Sequence, residues 1–153
     1  MEHLTDLLKE ERRWLTLAVS HIILADGVAE TIEKEYLKKL MRNIFLGDTK
    51  EVLPEIQALF RAKTLPPLEK IKVSDLDHLI YMLDIIAFSV FVNGKKPQTQ
   101  TAKYFEAGKA LGVNIGTLSF RLSLEAEKFR VERKLEQIKL DIKKDRMRTL
   151  QVD

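Results

Sequence analysis

Ser74-Asp75-Leu76-Asp77-His78-Leu79-Ile80-Tyr81-Met82-Leu83-Asp84-Ile85-Ile86-Ala87-Phe88-Ser89-Val90-Phe91-Val92-Asn93-Gly94 is a strongly apolar stretch. Leu76, Leu79, Ile80, Leu83, Ile86, Ala87, Val90 and Phe91 recur at three and four, the period of a helix with a wide buried face. Ser74 stands where an N-cap belongs, with Asp77 three residues on, and Asn93-Gly94 stops the run. An Asn-Gly hairpin is excluded because its flanks keep helical period rather than alternating. A helix this apolar needs cover on several sides, so the segment predicts an all-α bundle with itself at the centre.

Composition agrees. With 153 residues, 45% apolar and 32% charged, the chain suits one soluble globular domain. The absence of cysteine excludes disulfides, thiolate zinc sites, iron–sulfur clusters and cysteine nucleophiles. Six Gly and four Pro make a turn-poor chain, which disfavours sandwiches and barrels. A net charge of +3 falls short of the basic footprint of a nucleic-acid binder. No apolar run reaches the roughly 18 residues that span a bilayer. The N-terminus lacks a basic flank followed by an apolar stretch, so a cytoplasmic protein is expected.

Upstream, Leu4, Leu7, Leu8, Leu15, Ala18, Val19 and Ile22 predict a helix from Leu4 to Ala25, with Trp14 joining the core and Asp26-Gly27 ending it. Thr31 caps the next helix, whose apolar stripe runs from Tyr36 to Ile44. Residues 49–73 are irregular, with a short helix opening at Pro54 and a connector at Pro66-Pro67. Downstream, Gln98 or Thr99 begins a helix through Tyr104, Phe105 and Leu111, and residues 112–116 form a break. From Thr117 to the end there is neither Gly nor Pro, which predicts one helix of roughly 50 Å. It would outreach a domain about 40 Å across. Phe120, Leu124 and Val131 are expected to pack on the core. Leu135, Ile138 and Ile142 continue the stripe and need a partner. Folding back onto the domain, pairing with another chain, and fraying all fit.

Two segments look alike. Ile22 to Gly27 followed by Thr31 to Leu37 resembles Ser89 to Gly94 followed by Thr99 to Phe105. The glycines lie 94 − 27 = 67 apart, and the Thr and Tyr positions align at 68. Each half reads as helix, glycine turn, capped helix, so the expected fold is a bundle of two duplicated helix–turn–helix units with a long C-terminal helix. The expected division is 1–116 for the bundle and 117–153 for the long helix.

Ala25-Asp26-Gly27, the acid Glu33 and the pair Tyr36-Leu37 resemble the signature of the TerB-like (tellurite resistance protein B) domain, and Lys109-Ala110-Leu111-Gly112-Val113 is similar to the Leu-Gly ending of its second half. The resemblance spans about Trp14 to Val113. It implies an all-helical, non-enzymatic module linked to tellurite resistance and stress response. It also implies assembly with partner proteins at the inner face of the membrane and, in some members, divalent-cation binding. The chain departs from the pattern in its second half, where Asn93 replaces the Asp and the acid falls on Gln100 or Thr101, with Lys95, Lys96 and Lys103 around the turn.

Asp26, Glu30 and Glu33 are the candidate ligands for a hard cation, since oxygen donors suit calcium or magnesium. The same acids also serve as favourable charges at a helix N-terminus, so no cofactor is required. An EF-hand pattern is absent. His3, His21 and His78 share no ligand spacing and read as surface or packed residues. Asp84, among Leu83, Ile85 and Ile86, calls for a structural partner if buried. Neither a phosphate-binding glycine loop nor a nucleophile motif occurs, so no catalytic residues are assigned. Gly108, Gly112 and Gly116 read as close helix packing. The expected function is protein–protein contact, through the acidic pole ending at Glu35 and through Leu135, Ile138 and Ile142, the latter permitting a homodimer. Basic residues of the C-terminal helix leave peripheral contact with anionic lipid open.

Overall fold

Apolar residues spaced at three and four do form helices here, and their buried faces converge on one core. In the computed structural model the described residues are 7–25, 31–44, 54, 57–58, 61, 65–92 and 98–151. They contain five bounded helices: α1 Lys9–Ile23, α2 Thr31–Ile44, α3 Leu76–Ser89, α4 Gln98–Ala110 and α5 Ile115–Gln151. No strand occurs among the described residues. The fold is all-α.

α3 lies inside the bundle as its sequence predicts, packed against α1, α4 and α5, and α1 shares the centre with it, packed against α2, α3 and α4. Leu15, Ala18, Val19, Ile22 and Ile23 are fully buried on α1. Thr16 and Ser20 are buried too, each bonding its hydroxyl back to the carbonyl four residues earlier. Back-bonding lets a polar residue enter a helix–helix contact without leaving a donor unmatched. Trp14 joins the core as expected.

Helix ends differ from the sequence reading where an unanticipated side chain supplies the cap. Leu7 and Leu8 precede α1 rather than belonging to it. The Leu8 backbone N–H donates to Glu11 Oε1 at 2.8 Å, so an acid in the first turn does the work that no Ser or Thr is placed to do. At α3 the cap is Asp75, not Ser74, with Oδ1 accepting from the backbone N–H of Asp77 and His78. At α5 the Asn114 Oδ1 accepts from Thr117 N–H at 2.9 Å, so the helix begins at Ile115, two residues before Thr117. The stops at Asp26-Gly27 and Asn93-Gly94 lie outside the described residues.

The turn from α4 to α5 is a Schellman motif. Val113 N–H reaches Gly108 C=O, Gly112 N–H reaches Lys109 C=O, and Gly112 takes φ +78°. Gly108 serves differently. A Cβ there would sit 2.2 Å from a Leu118 methyl, so α4 and α5 approach through its missing side chain. Gly116 meets nothing nearer than its own turn's Asn114 at 3.4 Å, and close packing does not explain it.

Residues 65–75 run without helix between Pro66-Pro67 and α3. Trp14 Nε1 donates to the Glu69 carbonyl at 2.8 Å, His21 Nε2 to the Pro66 carbonyl at 2.7 Å, and Ile71 N–H to the Ala110 carbonyl at 3.0 Å. Leu68, Ile71 and Val73 rest on the core.

The long helix α5 has 37 residues, about 55 Å of rise. Leu118 and Leu122 are buried against the domain, with Ala126 and Phe129 partly so, and Phe129 stacks on Phe91 at 5.9 Å. The expected core residues Phe120, Leu124 and Val131 instead lie 64%, 53% and 51% exposed. Steps of four, four and three keep 118, 122, 126 and 129 on one face, and 120, 124 and 131 fall across the helix axis. From Val131 to Gln151 every described residue is exposed.

One buried and one half-buried phenol, Tyr104 and Tyr36, complete the packing. Tyr104 Oη donates to Leu118 C=O at 2.7 Å, and Tyr36 lies 5.4 Å from Phe88. Burial pushes both phenols up from 10 to about 12. A raised phenol pKa keeps its stabilising share below the unfolded value and loses it as the pH rises to the folded one. Denaturation midpoints therefore fall between pH 10 and about 12, and Tyr36→Phe, followed by urea titration, flattens part of that fall. Gly108→Ala lowers stability by about 1–3 kcal/mol through overpacking. Leu118→Ala alone costs about 2–5 kcal/mol. The double variant loses less than the sum, because each change relieves the other.

Candidate functional site

The sequence-predicted ligands do not all fall among the described residues. Asp26 and Glu30 lie outside them. Glu33, the third residue of α2, is fully buried. Its Oε2 accepts a hydrogen bond from Gln100 Nε2 at 2.8 Å. Gln100 is the third residue of α4 and is also fully buried. Its Nε2 lies 3.5 Å from the Ile23 carbonyl at the end of α1. Gln100 Oε1 is buried and finds no hydrogen-bond partner among the described residues. Three helix ends therefore meet at one carboxylate and one carboxamide. A carboxylate out of water needs matched donors, and the α2 N-terminus adds a favourable dipole.

A second polar pair sits among the first turns of the other two helices. Glu11, the third residue of α1, is 3% exposed, and His78, the third residue of α3, places Nδ1 2.9 Å from Glu11 Oε1. The same oxygen takes the Leu8 N–H, so one acid both caps α1 and ties it to α3. Sequence reading passed over Glu11. Its signal was an acid three residues after the chain enters the helix, the spacing of a capping box.

Glu35, the residue offered for contact at the acidic pole, is exposed. It stands among exposed Lys34, Lys38 and Lys39, so the described part of that pole is mixed in charge rather than acidic. Lys103, the described member of the basic pole, pairs with Glu106 at 3.1 Å. Asp84 is exposed, and Arg121 Nη1 of α5 donates to its Oδ1. It is a structural ion pair joining α3 to α5. His21 is occupied by the Pro66 carbonyl. No group of three His, Cys, Asp or Glu stands close enough among the described residues to hold a metal.

An open pocket of about 250 Å³ lies between His21, Pro67, Leu68, Lys103 and Glu106. Ligand sites are enclosed clefts of about 300–1,000 Å³ with a largely apolar lining, and this groove falls below that range.

Among the described residues, α5 carries an apolar face with nothing packed on it. Leu135, Ile138 and Ile142 are 50%, 46% and 48% exposed and share one face. No described helix of the chain is long and apolar enough to cross a membrane. No family model matches the chain, and neither does any curated protein or solved structure.

Because Gln100 donates to Glu33, Gln100→Glu sets two carboxylates in one dry site and costs more than about 2 kcal/mol. Exchanging the two residues, Glu33→Gln with Gln100→Glu, recovers most of that loss. Thermal melts of the three variants check the pairing.

Proposed function

We propose that the chain is a TerB-like helical module, built from two related helix–turn–helix units, that acts through protein–protein contact and performs no catalysis. One observation carries the architectural part. Glu11 pairs with His78 and Glu33 with Gln100, and both pairs are 67 residues apart. The helix starts repeat the same interval: α1 and α3 begin at 9 and 76, α2 and α4 at 31 and 98. In a two-fold arrangement a residue meets its own equivalent only near the axis. Two such meetings support an axis running through both polar pairs. The interval also favours Gln100 over Thr101 as the counterpart of Glu33.

The contact reading rests on the exposed apolar face of α5 and on Glu35. The tellurite-resistance and stress setting, and a place in the cytoplasm at the inner face of a membrane, come from the resemblance at Ala25-Asp26-Gly27 and Lys109 to Val113. The test is affinity capture with the full chain from its source cell, alongside Glu35→Lys and Leu135→Glu. A partner retained by the parent chain and lost by either variant is expected. Identical recoveries from all three baits would end this reading of the two surfaces.

A second reading has its own observation. Gln100 Oε1 is a buried oxygen without a described partner, beside the Glu33 carboxylate. With Asp26 and Glu30 close by in the sequence, these oxygens suit a hard divalent cation, which would neutralise the buried acid. Calorimetric titration with calcium, magnesium and zinc, repeated on Asp26→Ala, is expected to give heat only with the parent chain. Heats no larger than dilution into buffer remove the cation.

A further inference from the structure

The exposed face of α5 carries more information than its hydrophobicity. Val131, Leu135, Ile138 and Ile142 advance by steps of four, three and four, the seam of a left-handed coiled coil. At about 100° per residue, this seam lies on the side of α5 opposite Leu118, Leu122 and Phe129, which face the domain. A second helix laid along it would therefore clear the bundle, even beside residues 124–129 where α5 rests on the core.

We infer that α5 pairs antiparallel with α5 of a second copy, Leu135 packing on Ile138 of the second copy and Val131 on its Ile142. Charge selects this arrangement. Antiparallel seams bring flanking positions of the same kind together, here Glu132 to Lys139 and Lys134 to Asp141 of the second copy. Further out, the same register sets Glu125 against Arg146 and Glu127 against Arg148. Within the seam it sets Lys128 against Asp145. Every facing pair is of opposite sign, and the two-fold relation makes each occur twice.

The alternatives repel. A parallel pair would gain Asp141 against Arg146, but would place Lys134 against Lys139 and Glu127 against Glu132, with Lys128 and Asp145 each facing its own copy. Sliding the antiparallel pair by one heptad sets Glu132 on Glu132 and Lys134 on Lys134 in one direction. In the other it sets Lys139 on Lys139 and Asp141 on Asp141. Like charges at such positions exclude partners and fix register. The overlap runs for about 45 Å, with the two bundles at opposite ends of the rod.

The inference deepens the protein-contact reading by naming the partner as a second copy. A chain that stays monomeric yet still captures another protein overturns the self-pairing alone.

The test uses the full, cysteine-free chain. Light scattering from micromolar to near-millimolar concentration is expected to approach twice 17.7 kDa. Ile138→Glu, at an exposed position, is expected to stay helical by circular dichroism and to remain monomeric. Glu132→Lys weakens the dimer about tenfold, and adding Lys139→Glu restores it. In a parallel pair the single Glu132→Lys change would strengthen it instead. A spin label on Leu150→Cys reads the direction, about 40 Å between labels for antiparallel chains and within about 25 Å for parallel ones. A monomer at every concentration, a short label distance, or a Glu132→Lys dimer as tight as the parent's overturns the proposal.

Discussion

A carboxylate withdrawn from water must be matched, and this bundle is organised around matching two of them. Glu11 and Glu33 are buried acids, each in the first turn of its helix, and each reaches the first turn of a helix in the other half of the chain. Four helix starts are thereby fixed in two couples. The apolar faces then have little choice. Once α1 is held to α3 at one end and α2 to α4 at the other, Leu15, Val19 and Ile22 are directed against Met82, Ile86 and Tyr104 in one core. Dispersion and burial supply the driving force, and the polar couples select one packing among several of similar hydrophobic content.

Much of the bundle was legible because helical period is a strong signal over the 13 or 14 residues of α2, α3 and α4. α2, α3 and α4 fall where apolar spacing puts them, and Trp14 and Asp84 have the structural roles their neighbours imply. Caps were less legible. Asp75 stands beside Ser74, both are good N-cap residues, and only the backbone geometry chooses between them. That α1 shares the centre with α3 was hidden for another reason. The core face of α1 is diluted by Glu11, Thr16 and Ser20, which look like surface residues until their back-bonds and partners are known. Glu33, a candidate ligand, and Gln100, one of two residues standing where the second acid is replaced, were both in view, but their contact spans 67 residues and no local spacing encodes it.

The C-terminal helix misled for a different physical reason. It carries two apolar stripes on opposite faces, one ending near Phe129 and the other running from Phe120 through Ile142. A reader following three-and-four spacing passes from one to the other without noticing, because both obey the same period. The first stripe is anchored by the gap at Gly108, where Leu118 fills the space of an absent methyl. The second has charges on both flanks in an ordered sequence of signs, and such order is an additional signal beyond hydrophobic periodicity.

The connector after Pro66-Pro67 gives the molecule an internal gauge. Trp14 is the sole tryptophan, and its indole N–H is held by the Glu69 carbonyl, 55 residues along the chain. Emission from that ring reports whether a segment with no helical content of its own is seated on α1, a distant closure that ellipticity does not see. Agreement between the two optical signals during unfolding would mark the strap and the bundle as one cooperative unit, and a lag between them would show the strap peeling away first.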